Sequence, residues 1–260
     1  MKTARIGIIG GTSFEATARY CSLIAKECRK KRKGYGCITP DLVTRSLNSE
    51  TINALLKEND WGTIKEILIR ETRQLINGDG CKCIALASNT LHKVAPDIKD
   101  AIDLHYYYDR SERIHKDDLI DINDCIAERL QEIGARRILL LGAKPIMTEK
   151  CMKQYLSTRY DIEVMGTRRF FYAVNEIDRI ICEELRYGTI KRQSKEYIMD
   201  FINQFIPSPN FPKKPDAIVL ASVELGMLIK SKNINGIPLV DSAEAHASAI
   251  VKSSLSYRWW

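Results

Sequence analysis

The sequence predicts an α/β protein made of two similar domains with mostly parallel sheets, and three observations predict it. Short aliphatic runs alternate with amphipathic stretches of helical period along the 260 residues, the pattern of βα units that build parallel sheets. Two of the runs, Cys83-Ile84-Ala85-Leu86-Ala87-Ser88 and Ile218-Val219-Leu220-Ala221-Ser222, end in the same Leu-Ala-Ser tip. A third, Ile6-Gly7-Ile8-Ile9, ends in Gly10-Gly11 and feeds an amphipathic stretch. The repeated tip implies two halves related by a pseudo-twofold, with carboxyl strand ends facing a shared cleft, the place where open parallel sheets bind ligands. The expected domains are residues 1–117 together with 223–260, and residues 118–222.

Taken in order, Arg5 to Ile9 is a strand and Glu15 to Lys31 a helix whose basic end, Arg29-Lys30-Lys31-Arg32-Lys33 before Gly34, suits the negative pole of the helix dipole and a glycine stop. Asp41 to Ser46 reads as the second strand. Asp60 to Ile76 has helical period, with Asp60 as N-cap and Asn77-Gly78 as stop. Lys82 to Ala87 is the third strand, and Pro96 to Ile102 opens a helix. The second cycle runs from a helix at Asp124 to Gln131 into the strand Arg137 to Gly142, then a helix from Lys144 to Tyr155. A short strand at Ile162 to Met165 and helices at Val174 to Leu185 and Ser194 to Phe205 follow. Ala217 to Leu220 is a strand, after which the chain returns through Leu225 to Lys230 and Ile237 to Val240 to a last helix from Ala243 to Ser253. Two segments break the rhythm and read as surface loops: His105 to Lys116, with three consecutive tyrosines, and the proline-rich stretch from Pro207 to Pro215.

Composition narrows the functional class. A hydrophobic fraction of 45% supplies a sizeable core, and the aliphatic runs are too short to span a bilayer. Met1 to Arg5 leads straight into a strand without a signal-peptide apolar region, so a cytoplasmic, membrane-free protein is expected. The net charge of +7 comes without interleaved aromatics or a known motif, which argues against nucleic acid as partner. Eight cysteines are present, yet none pair as CxxC, so neither a zinc site nor a disulfide framework is expected. Gly7 and Gly10 do not form a dinucleotide fingerprint.

The segments Ile6 to Glu15, Leu86 to Val94 and Ile218 to Leu225 together resemble the aspartate/glutamate racemase superfamily. Asp60-Trp61, Glu183-Glu184-Leu185 with Gly188, Glu224-Leu225-Gly226 and Ile237 to Asp241 followed by Glu244 and His246 extend the likeness from Ile6 to about Val251. The resemblance implies cofactor-independent proton transfer at Cα of a small amino acid or carboxylic acid, and commonly a homodimer. It implies that Thr12 and Ser13 present backbone N–H groups to the substrate carboxylate, which suits an anion at a helix N-terminus; an ordinary strand-to-helix turn accounts for them as well. Asn89 and Thr90 are implied carboxylate ligands, compatible with a capping role, and Thr148 a further one. Arg45 falls where some members of the family hold a side-chain carboxylate with a bidentate guanidinium, and a solvated surface arginine is the competing reading. His92 reads as structural, and His246 lies where the family has a histidine near its second catalytic cysteine.

In that family two cysteines flank Cα, one as thiolate and one as thiol, and the matching positions here are Ala87 and Ser222. Ala87 has no proton to exchange. Cys83, four residues upstream on the same strand, lies more than ~10 Å away at the usual rise per residue. The Ser222 hydroxyl is a poor base unless His246 or Glu224 activates it. Three readings stay open: an enzyme with altered proton transfer, such as an isomerase or lyase working through Ser222; a catalytically inactive homologue that binds an amino acid; and a racemase whose cysteines have been replaced by mutation.

Overall fold

The computed structural model describes residues 4–31, 40–108, 116–165, 167, 170–205 and 214–256. They form two compact units, Met1–Asp121 with His246–Trp260, and Ile122–Ala245. Of the two expected surface loops, residues 109–115 and 206–213 lie outside the described residues, as do Arg32, Lys33 and Gly34 of the basic run.

In the first unit β1 (Ile6–Gly10) is the central strand, paired in parallel with β2 (Leu42–Ser46) on one side and β3 (Cys83–Leu86) on the other. Every residue of β1 and β3 is buried, as expected of strands covered on both faces. Helix α1 (Phe14–Lys31) starts where the Ser13 hydroxyl accepts the Ala16 N–H at 3.1 Å. A Cβ on Gly10 would sit 1.9 Å from Thr17 Oγ1, so glycine is what allows β1 and α1 to meet this closely. Helix α2 (Ser49–Glu58), unanticipated from the sequence, is capped by Asn48, and α3 (Trp61–Arg73) by Asp60 as expected. A wider turn from Gln74 to Gly78 ends α3 at the expected stop. After β3, a tight turn (Thr90–Val94) leads into α4 (Ala95–Tyr108), so the backbone of the tyrosine run is the end of a helix and not a loop. Ile9, Leu68, Leu75, Ile84, Leu86 and Ile98 centre the core.

The second unit opens with α5 (Ile122–Glu132) and contains β4 (Arg137–Gly142), α6 (Lys144–Thr148), α7 (Cys151–Tyr160), β5 (Glu163–Val164), α8 (Phe171–Arg179), α9 (Arg192–Phe205), β6 (Ala217–Ala221), α10 (Leu225–Leu228), β7 (Asn233–Ile234) and β8 (Ile237–Asp241). The strand order is β5-β4-β6-β8-β7, and every pairing is parallel except β7 with β8. Alternation along the strands sends Leu139, Leu141, Ile218 and Leu220 to one face, with Val174, Ile177 and Ile181. Ile138, Leu140, Val219 and Ala221 pack on the other, with Ile126 and Leu156. The helix expected over Lys144 to Tyr155 is two helices, because Glu149 takes an extended conformation between them. Residues 223–245, expected with the first domain, fold with the second unit: β8 hydrogen-bonds to β6, and the division falls inside α11 (Ser242–Ser256) after Ala245. The described cysteines are free thiols, and burial pushes those of Cys81 and Cys83 up to about 12.

Two buried histidines stand at the end of β3. His92 Nδ1–H donates to Ser88 O at 2.8 Å, and its ring meets that of His246 edge to face at 5.3 Å. His246 donates Nε2–H to Ile120 O at 2.9 Å, and its Nδ1 accepts the Tyr20 hydroxyl at 2.8 Å. Burial holds both rings below the ordinary histidine value, His246 well below it with His92 adding to the effect, while Asp121 partly offsets the shift at His92.

Since the unfolded chain takes up these protons first, stability is expected to rise with pH below about 6.5 and to be lost on acidification, by about 1.4 kcal/mol per pH unit for each histidine until the folded-state value is reached. Urea unfolding between pH 7.5 and 5 checks this, and His246→Gln, which keeps a donor and an acceptor, should remove about half of the slope. A Cβ on Gly142 would lie 2.7 Å from Ala221 O, so Gly142→Ala should destabilise by about 1–3 kcal/mol, read as a lower urea midpoint at unchanged m-value.

Candidate active site

Parallel pairing brings strand ends to one edge. In the first unit Ile9 is level with Leu86 and with Arg45, and Ala87 N–H continues the ladder by donating to Ile9 O at 2.8 Å. The carboxyl edge therefore gathers the Thr12-Ser13 turn after β1 and the Ala87-Ser88-Asn89 tip after β3. Ala87 is fully buried, and Thr12, Ser13, Ser88 and Asn89 are buried polar residues. The Thr12 turn is held from two sides: Asn53 Nδ2 donates to Thr12 O at 3.0 Å, and Leu47 N–H donates to Gly10 O at 3.1 Å. Ser88, not Asn89 or Thr90, closes the turn after β3, its hydroxyl accepting the Leu91 N–H at 3.4 Å. Asn89 and Thr90 are thus relieved of the capping duty that was the alternative account of them.

Arg45 is committed within its own unit. Its Nη2 donates to Asp79 at 2.7 Å and Nη1 to Glu71 at 3.4 Å. The Asp79 hydrogen bond is the main reason its charged form is further stabilised. The guanidinium fork ties β2 to the segment ahead of β3 and is already occupied by carboxylates. His246 is likewise engaged at both ring nitrogens by Tyr20 and Ile120.

In the second unit the tips of β4 and β6 are neighbours, Gly142 level with Ala221. Ser222, next after Ala221, continues the face of Ile218 and Leu220, the face covered by α8. Its hydroxyl donates to Glu224 Oε2 at 2.8 Å, and both residues are buried. Ser222 is thereby a hydroxyl with a resident carboxylate acceptor, the oxygen counterpart of an activated nucleophile or base.

Around this pair lie groups that sequence reasoning missed. The backbone N–H of Lys144, just past the β4 tip, donates to Asp178 Oδ1 at 2.6 Å, and the Cys182 thiol approaches the same oxygen at 3.9 Å. That thiol is pushed up to about 11, chiefly by burial, with Arg186 opposing the rise and the carboxylates of Asp178 and Glu224 adding to it. Cys182 is therefore a protonated thiol within the field of Glu224. Asp178 and Cys182 are four residues apart on one helical face, the signal that could have found them. Thr148 donates its hydroxyl to Lys144 O at 2.8 Å. Among the described residues, no group of three histidine, cysteine or acidic side chains is arranged to hold a metal ion, and no helix is long and apolar enough to cross a membrane.

No family model matches the chain, but solved structures do. A candidate Asp/Glu racemase from Yersinia pestis is 25% identical over 98% of this chain and 100% of its own, with a TM-score of 0.78. An aspartate racemase homologue from Pyrococcus horikoshii OT3 is 28% identical over 97% and 100%, at 0.76. The aspartate racemase of Picrophilus torridus, 20% identical over 96% and 94% at 0.65, shares the fold. So do an arylmalonate decarboxylase (13%, 0.54) and the maleate isomerase Iso from Pseudomonas putida S16 (12%, 0.54). Over nearly its whole length, this chain shares the α/β fold of the Asp/Glu racemase homologues.

Proposed function

We propose that the protein is an enzyme that moves a proton at the carbon next to the carboxylate of a small amino or carboxylic acid, as an isomerase or lyase, and that it does so with oxygen in place of sulfur. The observation that carries this reading is the buried hydrogen bond from Ser222 to Glu224. With its own proton directed at Glu224, the Ser222 oxygen keeps lone pairs for a proton leaving Cα, which arrives as the hydroxyl proton passes to the carboxylate. The reverse sequence protonates a carbanion left by decarboxylation. Fold relatives described as racemases, a decarboxylase and a maleate isomerase support an enzyme of this broad kind.

On this reading the substrate lies in a cleft with the Ser222 tip at one side of Cα and the Ala87 tip at the other. The N–H groups of the Thr12-Ser13 turn, with Asn89 and Thr90, take its carboxylate. Buried N–H groups at the start of α1, an 18-residue helix, suit an anion. His246 acts as a positioning group: with Tyr20 it braces His92, which holds Ser88 O beside Ala87. Arg45, spent on Asp79 and Glu71, takes no part in binding.

A single proton carrier returns the proton to the face it left, so the expected signature is exchange with retention. In D2O, NMR of D- and L-aspartate, glutamate and related acids should show loss of the α-proton signal for a substrate without change of handedness. Ser222→Ala and Glu224→Gln should each lower the exchange rate by about 10²–10⁴-fold, the usual contribution of a positioned acid–base group. Absence of exchange with every acid tested, alongside ligand-induced thermal stabilisation, would replace the enzyme by a binding protein. Adding the second carrier with Ala87→Cys and Ser222→Cys should create racemisation, followed by circular dichroism; an inert double variant would mean that the two tips do not share a substrate.

A further inference from the structure

We propose that the β4 edge of the second unit is a specificity subsite for the far end of the substrate, and that it takes an anionic group carried on an apolar body. An open cavity of about 550 Å3 lies there, lined by Lys144, Thr148, Glu149, Lys150, Phe171 and Val174. Its two sides have different chemistry. Lys144 and Lys150 supply cations, and neither ammonium group has a carboxylate partner among the described residues. Phe171 and Val174, one helical turn apart on α8, supply an apolar wall. The Phe171 ring is 58% exposed, and a large aromatic left in water at the rim of a cavity gains by being covered.

The residue that carries the cation is held by its backbone. The Lys144 backbone is anchored through its N–H to Asp178 and through its carbonyl to Thr148, and its ammonium group lies 5.4 Å from the centre of the Phe171 ring. The cavity thus sets an ammonium on an anchored backbone beside an apolar surface, and a charge-assisted hydrogen bond to a carboxylate is the strong interaction that it offers.

Its position joins it to Ser222. Gly142 and Ala221 are level on adjacent strands, which lie ~4.8 Å apart, and α8 covers the face that Ser222 continues. Asp178 bonds the Lys144 N–H and neighbours Cys182, which lies in the field of Glu224. Ser222 and Lys144 therefore follow the tips of adjacent strands within one unit, and the proposal is that one acid spans the two. That link rests on the proposed role of Ser222; binding in the cavity does not.

Calorimetric titration of the full chain with 3-phenylpropionate and its neutral amide tests the subsite. The acid should bind at least tenfold more tightly than the amide. Lys144→Met and Phe171→Ala should each weaken the acid by about tenfold, and Lys144→Arg should retain most of the affinity. Unfolding temperatures of the unliganded variants near that of the parent establish that they fold. Equal affinity for acid and amide, no binding of either, or full affinity in Lys144→Met would overturn the subsite. Ser222→Ala separates the two ideas: loss of α-exchange with unchanged binding of 3-phenylpropionate supports both. Retained exchange removes the role of Ser222 and leaves the cavity standing.

Discussion

Parallel pairing is the constraint on which the rest of this molecule depends. A parallel strand must return to the same end of the sheet before it can pair again, so every strand of a βα unit finishes at one edge. Whatever follows the strands is therefore collected there: the Thr12 turn and the Ala87 tip in the first unit, Lys144 and Ser222 in the second. The two glycines that matter most serve this collection. Gly10 lets α1 turn off β1 against Thr17, and Gly142 lets β4 run beside Ala221 where a side chain would strike the neighbouring backbone.

Burial then decides what these edges can do chemically. A carboxylate and a hydroxyl removed from water remain tolerable only while they satisfy each other, and the Ser222–Glu224 hydrogen bond does so. The same burial raises the Cys182 thiol, so it stays protonated and leaves the oxygen pair as the proposed proton carrier. A thiolate needs only a modest local field to form near neutral pH, whereas a serine hydroxyl needs an acceptor built beside it. Glu224 is that acceptor, two residues along, where the turn into α10 brings its side chain back towards Ser222.

How much of this was legible in the sequence follows from which forces are local. Strands such as Arg137 to Gly142 and Ala217 to Ala221 are continuous aliphatic runs, and Asp60 caps its helix three residues ahead of Thr63; short-range pattern is enough for both. Helix α2 was missed although Asn48 and Thr51 carry its start signal, because only Ile52 of its residues is buried and the apolar stripe is thin. The allotment of residues 223–245 failed for the opposite reason: which sheet accepts β8 is a long-range pairing that no local pattern encodes. The likeness to Asp/Glu racemases was readable from ordered short segments. The partners of Arg45 and His246 were not, since Asp79, Glu71, Tyr20 and Ile120 come from distant parts of the chain.

Those partners change what the molecule can recognise. A guanidinium that already receives two carboxylates has little to offer a third, and moving Arg45 towards a ligand would strand Asp79 and Glu71 in a half-buried setting. Arg179 in the second unit is bound in the same way by Glu176 and Glu184, so neither arginine presents an open fork. A small dicarboxylate, with charge at both ends and little between, needs such a fork or a second cation close to the first. Lys144 instead pairs its single ammonium with an aromatic surface, and an ammonium is a point charge without directional preference. If the proposed subsite holds, such a pairing selects for bulk between the anionic group and the reacting carbon more strongly than for a second carboxylate at fixed spacing. Among the described residues, the occupied Arg45 and Arg179 and the uncovered Phe171 would, on the proposed subsite, favour an acid longer and less polar than aspartate.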